Sequence, residues 1–115
     1  DDLTAPVSAE AETAAVFESV KSLSEKDMVA AAETLHGDKR LTPSLLLAAA
    51  RDGQAAFFEV GISVVSGRSL THVRSVLERA DEKTVRGLFE KTGMPGYLME
   101  EFWAEVEAMR RDMKT

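Results

Sequence analysis

The stretch RDGQAAFFEVGISVVSG, residues 51–67, predicts the fold class of this chain. When residues 54–66 are projected on a helix at about 100° per residue, two adjacent faces are apolar, and they carry Phe57, Gly61 and Val64 on one and Phe58, Ile62 and Val65 on the other. Only a narrow strip that includes Glu59 remains polar. A helix with so little polar surface is covered on two sides, so we expect it to form a packed layer among other helices.

Gly61 interrupts this predicted helix with a residue that costs about 1 kcal/mol of helix propensity relative to alanine. Close packing of a neighbouring backbone against the glycine is the simplest way to recover that cost. We therefore expect another helix backbone to approach Gly61 closely.

Helical spacing and turn residues predict six further helices and no strand, because no stretch alternates apolar and polar residues for long enough. Together with the central one, the predicted helices are residues 8–22, 24–36, 42–52, 54–66, 69–80, 81–92 and 97–113. Gly37 is the expected stop of the second helix. Short helices with short connections pack as antiparallel hairpins, which predicts an all-α fold, either a compact helical bundle or a HEAT- or armadillo-like stack.

The size and composition of the chain are those of one ordinary globular domain. It has 115 residues, a net charge of −6 and no cysteine. The charge works against nucleic-acid binding, and the longest apolar run, residues 45–50, is far short of a membrane span. The lack of cysteine excludes disulfides and thiolate chemistry and is compatible with a reducing compartment, so we expect a cytoplasmic protein with neither a nucleic-acid nor a membrane partner.

The start of the sequence has little helical pattern. We expect residues 1–7 to be a flexible N-terminal segment and residues 8–115 to form one helical domain. The first residue is Asp1 rather than methionine, which indicates a domain excised from a longer protein or a processed product.

No catalytic motif is present: the sequence has no nucleophile elbow, no phosphate-binding glycine loop, no His-Glu-x-x-His helix and no cysteine. The two histidines, His36 and His72, lie on different predicted helices, so we expect no catalytic residue, no metal site and no cofactor. One alternative is a phosphorelay bundle with His72 as the phosphoacceptor. Phosphotransfer domains usually have lysine and glycine three and four residues after the histidine, where this chain has Ser75 and Val76.

Charge is unevenly distributed along the chain. Residues 1–38 contain nine acidic residues and two lysines, whereas residues 68–92 contain six basic and four acidic residues. Either the second stretch is a basic surface for an acidic partner protein or for phosphates, or its charges form a solvated face with local pairs such as Arg86 with Glu90. The candidate partner-binding residues are Arg68, His72, Arg74, Arg79, Lys83, Arg86 and Trp103.

Two other features have a structural and a functional interpretation. Glu59 either faces water or forms a buried ion pair with Arg68 or Arg74. Trp103 and the methionines of the last helix either belong to the core or form a docking surface for a dimer or inter-domain contact. The last helix is therefore a candidate surface for homo-oligomerisation.

The run from Leu45 to Pro95 resembles an uncharacterised bacterial family with a HEAT-like, all-helical domain of unknown function. The residues that carry the resemblance are the Gly53 turn, Phe57-Phe58-Glu59, the Gly67 break with Leu70, Val73-Arg74, Gly87-Leu88 and Gly93-Met94-Pro95. The resemblance implies a helical-repeat fold and no catalytic residue. We expect a non-enzymatic helical-repeat module that binds a protein partner, or another domain of its parent chain, through helices four to six or the last helix.

Overall fold

Seven α-helices make up most of the backbone in the computed structural model, which describes residues 9–79 and 81–114, and side chains of residues 14–79 and 81–111. They are α1 (Ala9–Val20), α2 (Glu25–Gly37), α3 (Pro43–Arg51), α4 (Ala55–Ser66), α5 (Leu70–Arg79), α6 (Glu82–Thr92) and α7 (Met99–Lys114), with one 3₁₀ turn at Gly96–Leu98. The described backbone contains no strand, so the predicted all-α class is confirmed. The segment 1–7 that was predicted to be flexible lies outside the described residues.

Helix α4 is the centre of the fold. It contacts α2, α3, α5 and α6, and its buried residues are Phe57, Phe58, Val60, Gly61 and Ile62. The expected coverage on two sides is therefore confirmed. The two adjacent phenylalanines extend this packing in different directions, because the ring of Phe57 meets Phe17 of α1 edge-on at 6.1 Å while that of Phe58 meets Phe102 of α7 at 5.8 Å.

Gly61 makes room for a side chain, which differs from the predicted close approach of a backbone. A methyl group at this position would overlap Cδ2 of Leu46, a residue of α3 that is only 1% exposed. Because Leu46 is held in the core, the absence of a side chain at residue 61 sets how closely α3 and α4 pack.

The end of α2 also differs from the prediction. Gly37 is the last helical residue, and the left-handed residue that ends the helix is Lys39, at φ 61°. The N–H of Lys39 donates to the carbonyl of His36, and that of Arg40 donates to the carbonyl of Leu35 at 2.8 Å. These two bonds form a Schellman motif, so the hydrogen-bond pattern continues beyond the glycine and places the stop two residues later.

Helix α7 closes the bundle. It contacts α3, α5 and α6, and it begins after a 3₁₀ turn rather than at Tyr97, because the N–H of Leu98 donates to the carbonyl of Pro95. Repeats of an open solenoid contact only their neighbours in sequence. The contact between α3 and α7 therefore favours the compact bundle among the two predicted architectures.

Replacing Gly61 by alanine tests the contact with Leu46. The added methyl gains about 1 kcal/mol of helix propensity but overpacks the core, which costs about 1–3 kcal/mol. We expect Gly61→Ala to lower the free energy of unfolding by about 1 kcal/mol, measured by urea denaturation. In the Gly61→Ala background, Leu46→Ala should cost less than in the natural sequence, because it removes the overlapping atom.

Gly87 on α6 is a matched control for this experiment. It is exposed, and a methyl group there would meet no atom within 4 Å. Gly87→Ala should therefore stabilise the protein by about 0.5–1 kcal/mol. Additive effects of Gly61→Ala and Leu46→Ala would show that the two residues do not pack as described.

Candidate interaction surface

Arg74 of α5 joins three helices. Its Nε donates to Oε1 of Glu59 on α4 at 3.0 Å, and its Nη1 lies 2.8 Å from Oε1 of Glu25 at the start of α2. The Glu59 side chain is 18% exposed and that of Arg74 is 40% exposed. Of the two arginines considered for Glu59, the structure places Arg74 beside it, whereas Arg68 is exposed before α5.

The same contacts keep Arg74 charged. Its side-chain hydrogen bonds to Glu59 and then to Glu25 raise the pKa of Arg74 above its ordinary value, against the opposing effect of burial. Because the pKa of Arg74 is higher in the folded protein than in the unfolded one, its salt bridges stabilise the fold fully at any pH below the unfolded pKa. This stabilisation is lost only as the pH rises through the folded pKa. Arg74 therefore holds α2, α4 and α5 together at any ordinary pH, and its guanidinium is already paired with carboxylates of the same chain.

Arg86 is paired within its own helix. Its Nη2 lies 3.1 Å from Oε2 of Glu82, one turn earlier, and the pair with Glu90 offered as an example does not occur. Glutamate N-terminal to the cation at this spacing is the better-oriented arrangement, since it also suits the helix dipole. Of the basic residues in 68–92, Arg86 therefore fits the interpretation of local pairs, while Arg74 is paired with carboxylates of two other helices.

Four exposed cations of residues 68–92 form no salt bridge within the described part of the chain: Arg68, Arg79, Lys83 and, near the end of α6, Lys91. Arg68 precedes α5, Arg79 is its last residue, and Lys83 lies in the first turn of α6. His72, one turn beyond Arg68, is also exposed, and its backbone N–H donates to Oγ of Ser69. We call Arg68, Arg79 and Lys83 the basic stripe.

Asp81 caps α6 between two residues of the basic stripe. Its Oδ2 accepts hydrogen bonds from the hydroxyl of Thr84 at 2.7 Å and from the Thr84 N–H at 3.1 Å. These bonds, and then the nearby charges of Arg79 and Lys83, lower the pKa of Asp81. The cap therefore contributes stability above the ordinary aspartate pKa and loses it as the pH falls through the lowered value.

The exposed surface of α7 is largely polar, because its tryptophan packs against the core and several of its glutamates face water. Trp103 is partly buried against the core, so it is not a fully exposed anchor. The exposed positions of α7 include Glu100, Glu101 and Glu107, and the side chain of Met113 lies outside the described set. Among the described side chains, the one large apolar residue that is exposed is Tyr97, at 83%.

A cleft of about 180 Å³ lies where α5 and α7 meet over α4. Its apolar lining consists of Leu77, Val106 and Met109, and the charged residues around it are Glu59, Arg74, Glu78 and Arg110. Sequence reasoning missed this cleft, because it depends on how two helices separated by some 20 residues pack, and no local pattern encodes that.

The wall of the cleft on α7 is fixed by a second arginine. Arg51 of α3 pairs with Glu101 and, through Nε at 2.9 Å, with Oε2 of Glu105. Arg51 and Glu105 lie 54 residues apart in the sequence, so no spacing rule could have predicted this pair. These two salt bridges of Arg51, which we call the Arg51 clamp, set the position of α7 relative to α3, and hence relative to α5.

Comparison with known proteins identifies the family. The model of DUF2336, described as an uncharacterised protein conserved in bacteria, matches residues 1–115. The chain belongs to the DUF2336 family. No curated protein and no solved structure shows a match. The expected membership of an uncharacterised bacterial family is confirmed, over the whole DUF2336 chain rather than residues 45–95 alone, while its HEAT-like character stays a prediction.

The interior of this DUF2336 domain is apolar wherever side chains are described. No polar or charged side chain is buried in residues 14–79 and 81–111. No group of three His, Asp or Glu residues in the described part is arranged to hold a metal ion. None of the described helices combines the length and the apolar character that crossing a bilayer requires. The phosphorelay alternative at His72 stays a prediction.

Removing Arg74 should weaken the DUF2336 fold modestly. We expect Arg74→Met to lower the free energy of unfolding by about 1 kcal/mol, since both salt bridges are partly exposed. In the Glu59→Gln background the same substitution should cost less, because no uncompensated carboxylate is then left at a site that is mostly buried. Chemical denaturation at neutral pH measures all four proteins. An equal cost of Arg74→Met in both backgrounds would contradict this account of the pair.

Proposed function

We propose that this DUF2336 domain is a non-enzymatic helical interaction module. Its basic stripe docks on an acidic region of a protein partner or of another domain of its parent chain. The observation that carries the proposal is that Arg68, Arg79 and Lys83 are exposed and without a salt bridge, in a chain whose net charge is −6. Cations left unpaired among so many acidic residues are available to a partner's carboxylates.

The stripe suits recognition more than it suits strong attachment. Charges at the rim of an interface increase the association rate and select against partners of the wrong sign, while they add little affinity. Such contacts are screened by salt, since the Debye length is about 8 Å at physiological ionic strength. The proposal therefore implies an interaction that weakens as salt is added.

The repeat-like character of the module and its location belong to the same proposal. Contacts of α4 with both α2 and α6 place alternate helices side by side, as successive hairpins of a repeat do, although the contact between α3 and α7 closes them into a bundle. A cytoplasmic location is the expected one for a chain without cysteine. Self-association through α7 has less support, because its exposed positions include several glutamates.

Affinity capture from a bacterial lysate tests the proposal with a triple variant, Arg68→Glu, Arg79→Glu and Lys83→Glu. Arg74 is left unchanged, because its substitution would break the contacts with Glu59 and Glu25. The expected result is one or more acidic proteins retained by the natural domain and lost by the variant.

The matched control reverses three exposed cations elsewhere, Lys26→Glu, Lys39→Glu and Arg111→Glu. It has the same net charge as the stripe variant, so it separates the location of the charges from their sum. Retention by the control variant with loss by the stripe variant supports the proposal. Equal retention by both, or equal loss from both, contradicts it.

A further inference from the structure

The α5–α7 cleft has an apolar floor. Leu77 and Val106 are buried beneath it, and Met109 is partly buried at its side. Its volume, about 180 Å³, exceeds that of an engineered apolar cavity of about 150 Å³ that accommodates benzene. The cleft can therefore receive one large apolar side chain.

The charges around the floor are not all neutralised within the protein. Glu59 is paired with Arg74, which is paired in addition with Glu25. Arg110 of α7 also lines the cleft, is partly buried, and forms no salt bridge within the described part of the chain. A guanidinium that is partly desolvated and has no carboxylate partner favours an incoming anion.

The cleft continues toward the basic stripe. Arg74 and Glu78 border both the cleft and a shallow depression along α5 that also includes Arg79. The cleft and the depression adjoin at these two residues, and together we call them the groove; a guanidinium without a salt bridge to any described residue lines each part, Arg110 in the cleft and Arg79 in the depression. Glu78, which is exposed and unpaired among the described residues, disfavours a further acidic group beside it.

We propose that this groove binds an acidic peptide segment of the partner that carries one large apolar side chain between carboxylates. The apolar side chain enters the cleft over Leu77, Val106 and Met109. Carboxylates on one side of it pair with Arg110 and those on the other side pair with Arg79. The inference rests on the proposed function, and it names the chemistry of the partner and the site where its apolar group is held.

A synthetic pentapeptide tests the groove directly. The probe is Glu-Glu-Phe-Glu-Glu with blocked termini, titrated into the ¹⁵N-labelled domain and followed by amide chemical shifts. We expect saturable shifts centred on Leu77, Val106 and Met109. Replacing the phenylalanine of the peptide by alanine should weaken binding by at least about tenfold, because the burial of the phenyl ring is lost.

Two variants of the protein locate the binding site. Arg110→Glu should abolish saturation by placing a carboxylate where the peptide's carboxylate binds, and Met109→Trp should do so by filling the cleft. The control is Arg111→Glu, which changes the adjacent exposed residue outside the cleft and should leave binding unchanged within about twofold. Circular dichroism shows whether each variant is folded; Arg110→Glu decides the matter if Met109→Trp is not.

Four results with the peptides overturn the inference: absence of saturable shifts, shifts centred elsewhere, equal binding by Arg110→Glu, or tighter binding of Lys-Lys-Phe-Lys-Lys. Concentration-dependent shifts at the cleft without peptide would assign it to a second copy of the chain, which also overturns the inference. If any of these is found while the stripe variant still loses its captured protein, the proposed function is supported and only the peptide-binding groove is rejected. Peptide binding at the cleft with capture insensitive to the stripe would contradict the proposed function instead.

Discussion

The covering of α4 on two sides is the constraint on which the other parts of the structure depend. Both apolar faces of α4 must be covered by other helices, and α2, α3, α5 and α6 provide this cover. Phe57 and Phe58 extend the contact to α1 and α7, and Phe102 adds Phe89 of α6 at a centroid distance of 5.2 Å. Aromatic pairs of this kind contribute about 0.5–1.5 kcal/mol beyond the area they bury. One helix thus brings its neighbours and both ends of the bundle into a single core.

Because the described core is apolar throughout, the charged groups are left to the surface, where they have two different uses. Arg74 and Arg51 each contact two carboxylates and hold the outer helices in place. Among the described cations that form no salt bridge, Arg110 lines the α5–α7 cleft and Arg79 lines the depression that adjoins it. The pairs that fix the helices therefore also shape the groove, and its unpaired charges determine which ligand it suits.

The sequence predicted what depends on local pattern and on composition. Helix positions, the all-α class and the burial of α4 followed from the spacing of apolar residues. What it could not predict depends on long-range packing. The stop at Lys39 follows from hydrogen bonds beyond Gly37, and Leu46 rather than a backbone fills the space at Gly61. Neither the Arg51 clamp nor the cleft had any local signal. The sequence suggested an arginine partner for Glu59, but not that Glu25 also pairs with this arginine, because the approach of α2 to α5 is a tertiary feature.

Native-state hydrogen exchange tests the central role of α4 most directly. If α4 holds the fold together, the amides of residues 59–65 exchange only when the whole domain unfolds, and their protection matches the free energy of unfolding from denaturation. Helices at the edge, α1 in particular, should open at lower free energy. Exchange of the α4 amides through a local opening, with α5 or α6 more strongly protected, would contradict the account of α4 as the structural centre.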